Sequence, residues 1–415
     1  MIKDADIVQT SLSLRILFVH QNTPGQFRHL APYLGNDQRN QVVFLGESDR
    51  NRGGNVRWLG YRSPSAATPN IHHYLRRTEL AIRRGQEVAR TCLALKKEGF
   101  EPDLVIGHPG WGETMFLRDI LPRTVILSYC ELFYQFEGQD TGYIPETRID
   151  LDGRCRIRAW NADLLTALNI MDRGLSPTHW QRDQHPGVFR DRIAVIHEGV
   201  DTVEVAPESQ ARFDVPNGPS FSVGDEVVTF VARDLEPVRG FTLLMRSLPD
   251  LLRRRPNAQV VICGGDDVSY GRRPPDGGTW REAMMRQFPF DPARVHFVGK
   301  LARSNYLDLL RISALHLYLS VPFVLSWSCI EALACGCLVL GSDVAPVREV
   351  IEDGVNGFLV DARDSELLAS RAADLLGRRA LMGNVRRNAR DTAIARFELG
   401  QCLAQQSRLV AELMQ

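Results

Sequence analysis

FVLSWSCIEALACGCLVLGSD, residues Phe323–Asp343, reads as a loop, a helix and a short buried strand in immediate succession. Ser326 and Ser328 are small polar residues suited to opening a helix, Glu331 falls about one turn in, and Gly336 lies past its end. Free backbone N–H groups at such a helix start attract an anion. A carboxylate slightly further along can accept hydrogen bonds from vicinal hydroxyls. Phosphate together with hydroxyls is the chemistry of a nucleotide sugar. A helix-start glutamate stabilised by the macrodipole is the plainer alternative for Glu331.

Outward from this stretch, strand and helix patterns alternate along most of the chain. Buried-strand runs are expected at Arg15–His20, Gln41–Leu45, Asp103–Gly107, Thr124–Ser128 and Ile193–Ile196, with helices at 73–97 and 161–174 among the segments between them. Pro207, Pro216, Gly218 and Pro219 punctuate a polar stretch that reads as an interdomain linker. The alternation then restarts with strands expected at Val227–Val231, Ala258–Ile262, Val295–Val298, Leu315–Leu319 and Cys337–Leu340. The expected organisation is an N-terminal extension (1–14), a first Rossmann-like domain (15–205), a linker (206–224), a second Rossmann-like domain (225–392) and a C-terminal helix (393–415). The fold class is α/β: two doubly wound domains facing across a cleft, with ligands at the carboxyl ends of their strands.

Length and composition agree. A chain of 415 residues, 44% hydrophobic and 24% charged, exceeds one ordinary core. A formal net charge of +0 gives no case for nucleic-acid binding. The 8 cysteines form no Cys-x-x-Cys pair, so neither a zinc site nor a redox motif is indicated, and buried thiols in a reducing cytoplasm fit best. Met1–Leu14 contains Asp4 and Asp6 and does not read as a signal peptide, and no apolar run approaches the length of a spanning helix.

Several further constellations carry chemistry. Arg233 and Arg239 stand six positions apart on a turn between a strand and a helix, where two cations can grip one diphosphate; a solvated loop is the alternative. His20–Leu30 joins the first strand to the first helix, and Gly25 permits close backbone approach to a ligand, or simply a turn. His108 follows the strand at Asp103–Gly107 and so lies on the ligand side of the sheet, unless it only caps its loop. Asp150-Leu-Asp152 is a DxD tripeptide of the kind that can bind a metal, though short acidic triplets are common on surfaces. The cations on the helix at 73–97 define a solvated face, or one that could rest on anionic lipid.

Glu331-Ala-Leu-Ala-Cys-Gly336, Gly341-Ser-Asp343, Pro346-Val-Arg-Glu349, Asp353-Gly-Val-Asn-Gly-Phe-Leu-Val360 and the Arg233…Arg239-Gly240 element together resemble glycosyltransferase family 4, retaining enzymes of the GT-B fold. The resemblance covers nearly the whole chain after the first dozen residues, and it implies that the C-terminal helix (393–415) returns to the first domain. It implies a retaining hexosyl- or deoxyhexosyltransferase that moves a sugar from a nucleotide diphosphate sugar to a carbohydrate, lipid-linked or other hydroxyl acceptor. The setting implied is bacterial polysaccharide, glycolipid or glycoconjugate biosynthesis, in the cytoplasm or peripherally on the inner face of the membrane. No cofactor, no metal and no nucleic acid are implied. By the resemblance, Gly25, Arg233, Arg239, Leu301, Leu325, Ser326, Trp327 and Glu331 contact the donor, Glu331 through the ribose hydroxyls. His108, Arg233 and Arg239 would act in catalysis. Relatives carry a second glutamate eight positions before Glu331, and Phe323 stands there in this chain, making it the sugar-pocket candidate. A phenyl ring cannot accept a hydroxyl's hydrogen bond. An epimerase or phosphorylase of the same fold, or a nucleotide-sugar-binding protein without catalysis, are the alternative readings.

Overall fold

A computed structural model describes residues 13–415, so most of the expected N-terminal extension lies outside the described residues. The chain divides into two compact units. The first comprises the chain up to Gln135, Ile149–Gly199 and Leu399–Gln415, and the second comprises Phe136–Arg148 and Val200–Glu398.

The first unit is built on a seven-stranded sheet of β1 (Arg15–Val19), β2 (Gln41–Gly46), β3 (Arg57–Gly60), β4 (Leu104–Gly107), β5 (Val125–Tyr129), β6 (Arg173–Ser176) and β7 (Ile193–Val195). All pairings are parallel, in the order β3-β2-β1-β4-β5-β6-β7. Ile16, Leu17, Phe18 and Val19 are all inaccessible, because helices cover both faces of a parallel sheet and every side chain must be apolar. Leu399, Leu403, Leu409 and Val410 of the last helix, Leu399–Leu413, complete the core on one face with Leu30 and Leu34. The C-terminal segment expected as one helix from 393 is therefore interrupted: Gly383–Phe397 ends before Glu398, and only the helix after it belongs to the first unit.

The second unit starts with a feature absent from the sequence reading. The expected linker, 206–224, contains an antiparallel hairpin of β8 (Arg212–Asp214) and β9 (Ser220–Ser222). Phe213, Val215 and Phe221 bury themselves against Val261, Leu309 and Ile312, so this stretch is part of a core and not a spacer. The main sheet has six strands, β10 (Val227–Asp234), β11 (Gln259–Gly265), β12 (Val295–Gly299), β13 (Leu315–Tyr318), β14 (Val339–Ser342) and β15 (Phe358–Val360). They run parallel in the order β12-β11-β10-β13-β14-β15. The strand expected at Cys337–Leu340 starts later, at Val339: the Cys337 amide still donates back to the Ala332 carbonyl of the preceding helix. Phe136–Arg148 joins this unit through a Glu146–Arg246 ion pair and through the Tyr143 ring, over which the Arg363 guanidinium lies at 4.9 Å.

In both sheets the strand order reverses direction about a central pair, β1/β4 in the first and β10/β13 in the second. Ligands of open α/β sheets bind outside the carboxyl ends of the strands at such a switch point. The loops after these four strands carry the residues described next.

Candidate active site

In the second unit, β10 ends at Asp234 and the chain turns through Pro237–Arg239 into the helix Phe241–Arg254. Gly240 makes this possible: its φ is +82° and a Cβ would sit 2.0 Å from the Leu319 carbonyl oxygen. Arg239 is only 8% exposed and its Nη1 donates to the Val324 carbonyl at 2.8 Å. Among the described residues no carboxylate forms an ion pair with it. Its Cζ lies 5.0 Å from the Tyr270 ring centroid and 5.3 Å from that of Phe323. Arg233, the other cation expected to grip a diphosphate, is exposed at the end of β10, so the two arginines occupy different environments.

Two acids between these arginines were missed by the sequence reading. Buried Glu236 accepts from the backbone N–H groups of Ser269 (3.3 Å), Tyr270 (3.1 Å) and Gly271 (2.8 Å). Burial raises its pKa, against the pull of those amides and of Arg239. Asp234 accepts from the Ser269 hydroxyl and pairs with Lys300 Nζ at 2.8 Å. Both carboxylates thus pin the loop after β11 onto the Arg239 turn. The signal available in the sequence was the Asp-Leu-Glu between the cations.

The loop after β13 leads into the helix Trp327–Ala334. Ser326 caps it, its Oγ accepting from Ser328 N at 3.2 Å while its own N–H donates to the Tyr318 hydroxyl at 2.9 Å. Leu325 packs partly buried against the core of this unit, and Trp327 opens the helix. Glu331 is buried with both oxygens engaged: Arg303 Nη1 and the Tyr306 hydroxyl each donate to it at 2.5 Å. Burial and the neighbouring carboxylate push the Tyr306 phenol far above its ordinary range. Leu301, after β12, is partly buried against the hairpin core. Phe323 is buried, its ring 5.0 Å from that of Tyr270.

In the first unit, His20 after β1 and His108 after β4 flank the switch point with ring centroids 4.8 Å apart. The Asn22 and Gly110 amides donate to His20 Nδ1 (2.9 Å) and His108 Nδ1 (3.0 Å), which leaves the proton of each ring on Nε2. His20 Nε2 then donates to Gln26 Oε1 at 2.6 Å, and Gln26 Nε2 donates to Glu131 Oε1 at 2.7 Å. His108 Nε2 faces Glu131 Oε2 at 3.4 Å. Burial, then repulsion from His108, lowers His20 to about 3. Burial alone would raise Glu131, but His108 and Gln26 outweigh it and hold this acid below the usual range. Gln26 and Glu131 were not singled out from sequence; Glu131 stands two residues beyond β5, which is the legible sign. Gly25 has φ +54° and a Cβ there would lie 2.4 Å from the His20 ring. Packing therefore demands this glycine whether or not a ligand approaches it.

Asp150 accepts from Gly153 N as the cap of the helix Leu151–Ile170, and Asp152 accepts from the Tyr74 hydroxyl and contacts His73, so the DxD acids are both engaged in local structure. Several cations of the helix Leu75–Lys97 are ion-paired, Arg83 with Glu79, Arg84 with Glu47 and Lys96 with Glu101 among them. Among the described residues no helix is long and apolar enough to cross a membrane.

Two parallel α/β units with polar groups at their switch points define the GT-B class of fold. Solved structures share it across almost the whole chain. The Anabaena Alr3699/HepE protein in complex with UDP and glucose superposes with a TM-score of 0.65, at 15% identity, over 96% of this chain and 99% of that one. Sucrose-phosphate synthase from Thermosynechococcus elongatus gives 0.68, at 16% identity, over 96% and 99%. Residues 38–205 match the glycosyl transferase family 4 group, and residues 216–392 match the glycosyl transferases group 1. The two matches are adjacent, and each covers less than half of the chain. Among curated relatives, the D-inositol 3-phosphate glycosyltransferase of Rhodococcus jostii is 29% identical over 212 residues, 49% of this chain and 45% of that protein. The GDP-mannose-dependent alpha-(1-6)-phosphatidylinositol monomannoside mannosyltransferase of Mycolicibacterium smegmatis is 27% identical over 221 residues, 50% of this chain and 54% of its own length. The chain thus spans about half the length of the curated relatives it matches.

Proposed function

We propose that this chain is a glycosyltransferase that takes a sugar from a nucleotide diphosphate donor and passes it, with retained configuration, to a hydroxyl acceptor. The observation that carries the reading is Arg239: a buried guanidinium that forms no ion pair with a carboxylate among the described residues, at a switch point and beside the residues leading into a helix start. A buried charge is costly unless a counter-charge meets it, and a diphosphate supplies one. Curated relatives named for glycosyl and GDP-mannose-dependent transfer support the same chemistry.

In this reading Arg239, with Arg233 and the positive end of the Trp327–Ala334 helix dipole, stabilises the charge that develops on the leaving diphosphate. The acceptor oxygen bonds to the anomeric carbon on the face that the diphosphate leaves. The carbon–oxygen bond to the phosphate breaks, and the departing phosphate takes the acceptor's proton. Glu331, held by Arg303 and Tyr306, serves the ribose hydroxyls, and His108 the sugar. Gly25, Leu301, Leu325, Ser326 and Trp327 supply backbone or packing to the donor. No metal takes part in this scheme.

The test is a thermal-shift and turnover screen of nucleoside diphosphates and their sugars. One nucleotide is expected to raise the melting temperature by several degrees at saturating concentration, and Arg239→Ala to abolish the rise. No rise with any nucleoside diphosphate would remove the basis of the proposal. Phe323 favours a second reading, nucleotide-sugar binding without transfer; binding with no product on any acceptor pool would support it, and isomerised donor in the absence of acceptor would indicate an epimerase.

A further inference from the structure

We propose that Phe323 and Tyr270 are positioning residues that bracket the Arg239 guanidinium and present it, without an ion-paired carboxylate among the described residues, to the diphosphate of the donor. The inference rests on the reading of this unit as a nucleoside-diphosphate site, and it gives the ring at position 323 a task of its own. Arg239 Cζ is 5.0 Å from the Tyr270 centroid and 5.3 Å from the Phe323 centroid, while the two rings are 5.0 Å apart and tilted by 60°. The cation therefore sits in a notch between two aromatic faces, each of which attracts it electrostatically. The Val324 carbonyl, next to Phe323, fixes Nη1 at 2.8 Å.

The notch is itself held together. Tyr270 belongs to the loop after β11, and its amide, with those of Ser269 and Gly271, binds Glu236, three positions before Arg239 in the same turn. Asp234 adds the Ser269 hydroxyl. The loop that carries one ring is thus tied to the turn that carries the cation.

A carboxylate at position 323, the residue type that the family resemblance leads one to expect, would stand close enough to pair with Arg239 and cancel its charge. A phenyl ring orients the guanidinium and leaves the charge for the phosphates. The consequence is that position 323 sets affinity for the diphosphate, not preference among sugar hydroxyls.

Calorimetric titration of the full chain with the di- and monophosphates of uridine, guanosine, adenosine and thymidine tests this. Arg239→Ala is expected to weaken the best diphosphate more than about tenfold and the matching monophosphate less than about twofold. Phe323→Leu and Tyr270→Leu should each weaken the diphosphate alone, by about threefold to tenfold. Phe323→Tyr and Tyr270→Phe, which keep a ring, should restore binding, and Phe323→Glu should bind no better than Phe323→Leu. Added to Arg239→Ala, neither leucine variant should cost anything more. Tyr270 is 45% exposed, so its variants report on the bracket even if Phe323→Leu folds poorly. Ring variants that leave diphosphate affinity unchanged, that weaken both phosphates equally, or that add to Arg239→Ala would overturn the bracket while leaving the site itself intact. An ineffective Arg239→Ala, or a wild type that binds no nucleoside diphosphate, would overturn both.

Discussion

Gly25 and Glu331 show how single residues in the candidate site are fixed by their neighbours. A Cβ at position 25 would press on the His20 ring, and φ there is +54°. Gly25→Ala is therefore expected to lower stability by about 1–3 kcal/mol, measured by urea unfolding, even with no ligand in solution. Glu331→Ala leaves the buried Tyr306 hydroxyl without its acceptor and Arg303 with Glu204 as its remaining carboxylate; a loss of about 1–3 kcal/mol is expected, with Glu331→Gln losing clearly less, by calorimetric melting. Position and residue type made Gly25, Arg239, Ser326 and Glu331 legible in the sequence: the first three stand where a strand or loop joins a helix, and Glu331 lies one turn inside the helix that Ser326 caps. What each side chain touches was not legible. Glu131 and Glu236 meet partners distant in the chain, Gln26 and the 269–271 amides, and no local pattern encodes such meetings. Likewise nothing local distinguishes buried Arg239 from exposed Arg233.

At the scale of elements, the hairpin β8–β9 separates two readings of one stretch. Proline and glycine marked 206–224 as a linker, yet Phe213 and Phe221 alternate inward on paired strands and enter a core. Phe213→Ala and Phe221→Ala should each cost about 3 kcal/mol in denaturant unfolding, where a spacer would lose nothing measurable. The long apolar strands were visible because a parallel sheet needs every residue buried. Strands β3, β6 and β15 were not: β3 and β15 are short and only partly covered, and β6 (Arg173–Ser176) begins inside the stretch 161–174 expected as helix, where the helix ends at Ile170. Strand ends also set a pH response. His20 after β1 is held at about 3, and His316 on β13 and His185 in the first unit at about 4, by burial. Their unfolded values lie near 6.5, so below that pH the unfolded chain binds protons that the folded chain refuses. Stability should be greatest above pH 7 and fall as pH drops from about 6.5 towards 4, by up to about 1.4 kcal/mol per pH unit for each histidine. Urea midpoints measured from pH 7.5 to 5 check this, and His316→Asn should flatten the slope.

On the scale of the whole molecule, the first unit is discontinuous. Its core takes Leu403 and Val410 from the last helix, and the segment Phe136–Arg148 that interrupts it belongs to the second unit. Truncation after Glu398 should therefore unfold the first unit selectively, read as loss of one calorimetric transition and rapid proteolysis within 13–135, while nucleoside diphosphate binding by the second unit survives. The two-unit organisation was plain from the restart of strand–helix alternation, but the sequence alone could not say which unit the final helix completes. For protein engineers, a chimera that trades one lobe for a homologue's cannot be made with a single crossover. Both ends of the polypeptide must come from the same parent, and the short excursion at 136–148 must be inherited with the opposite half.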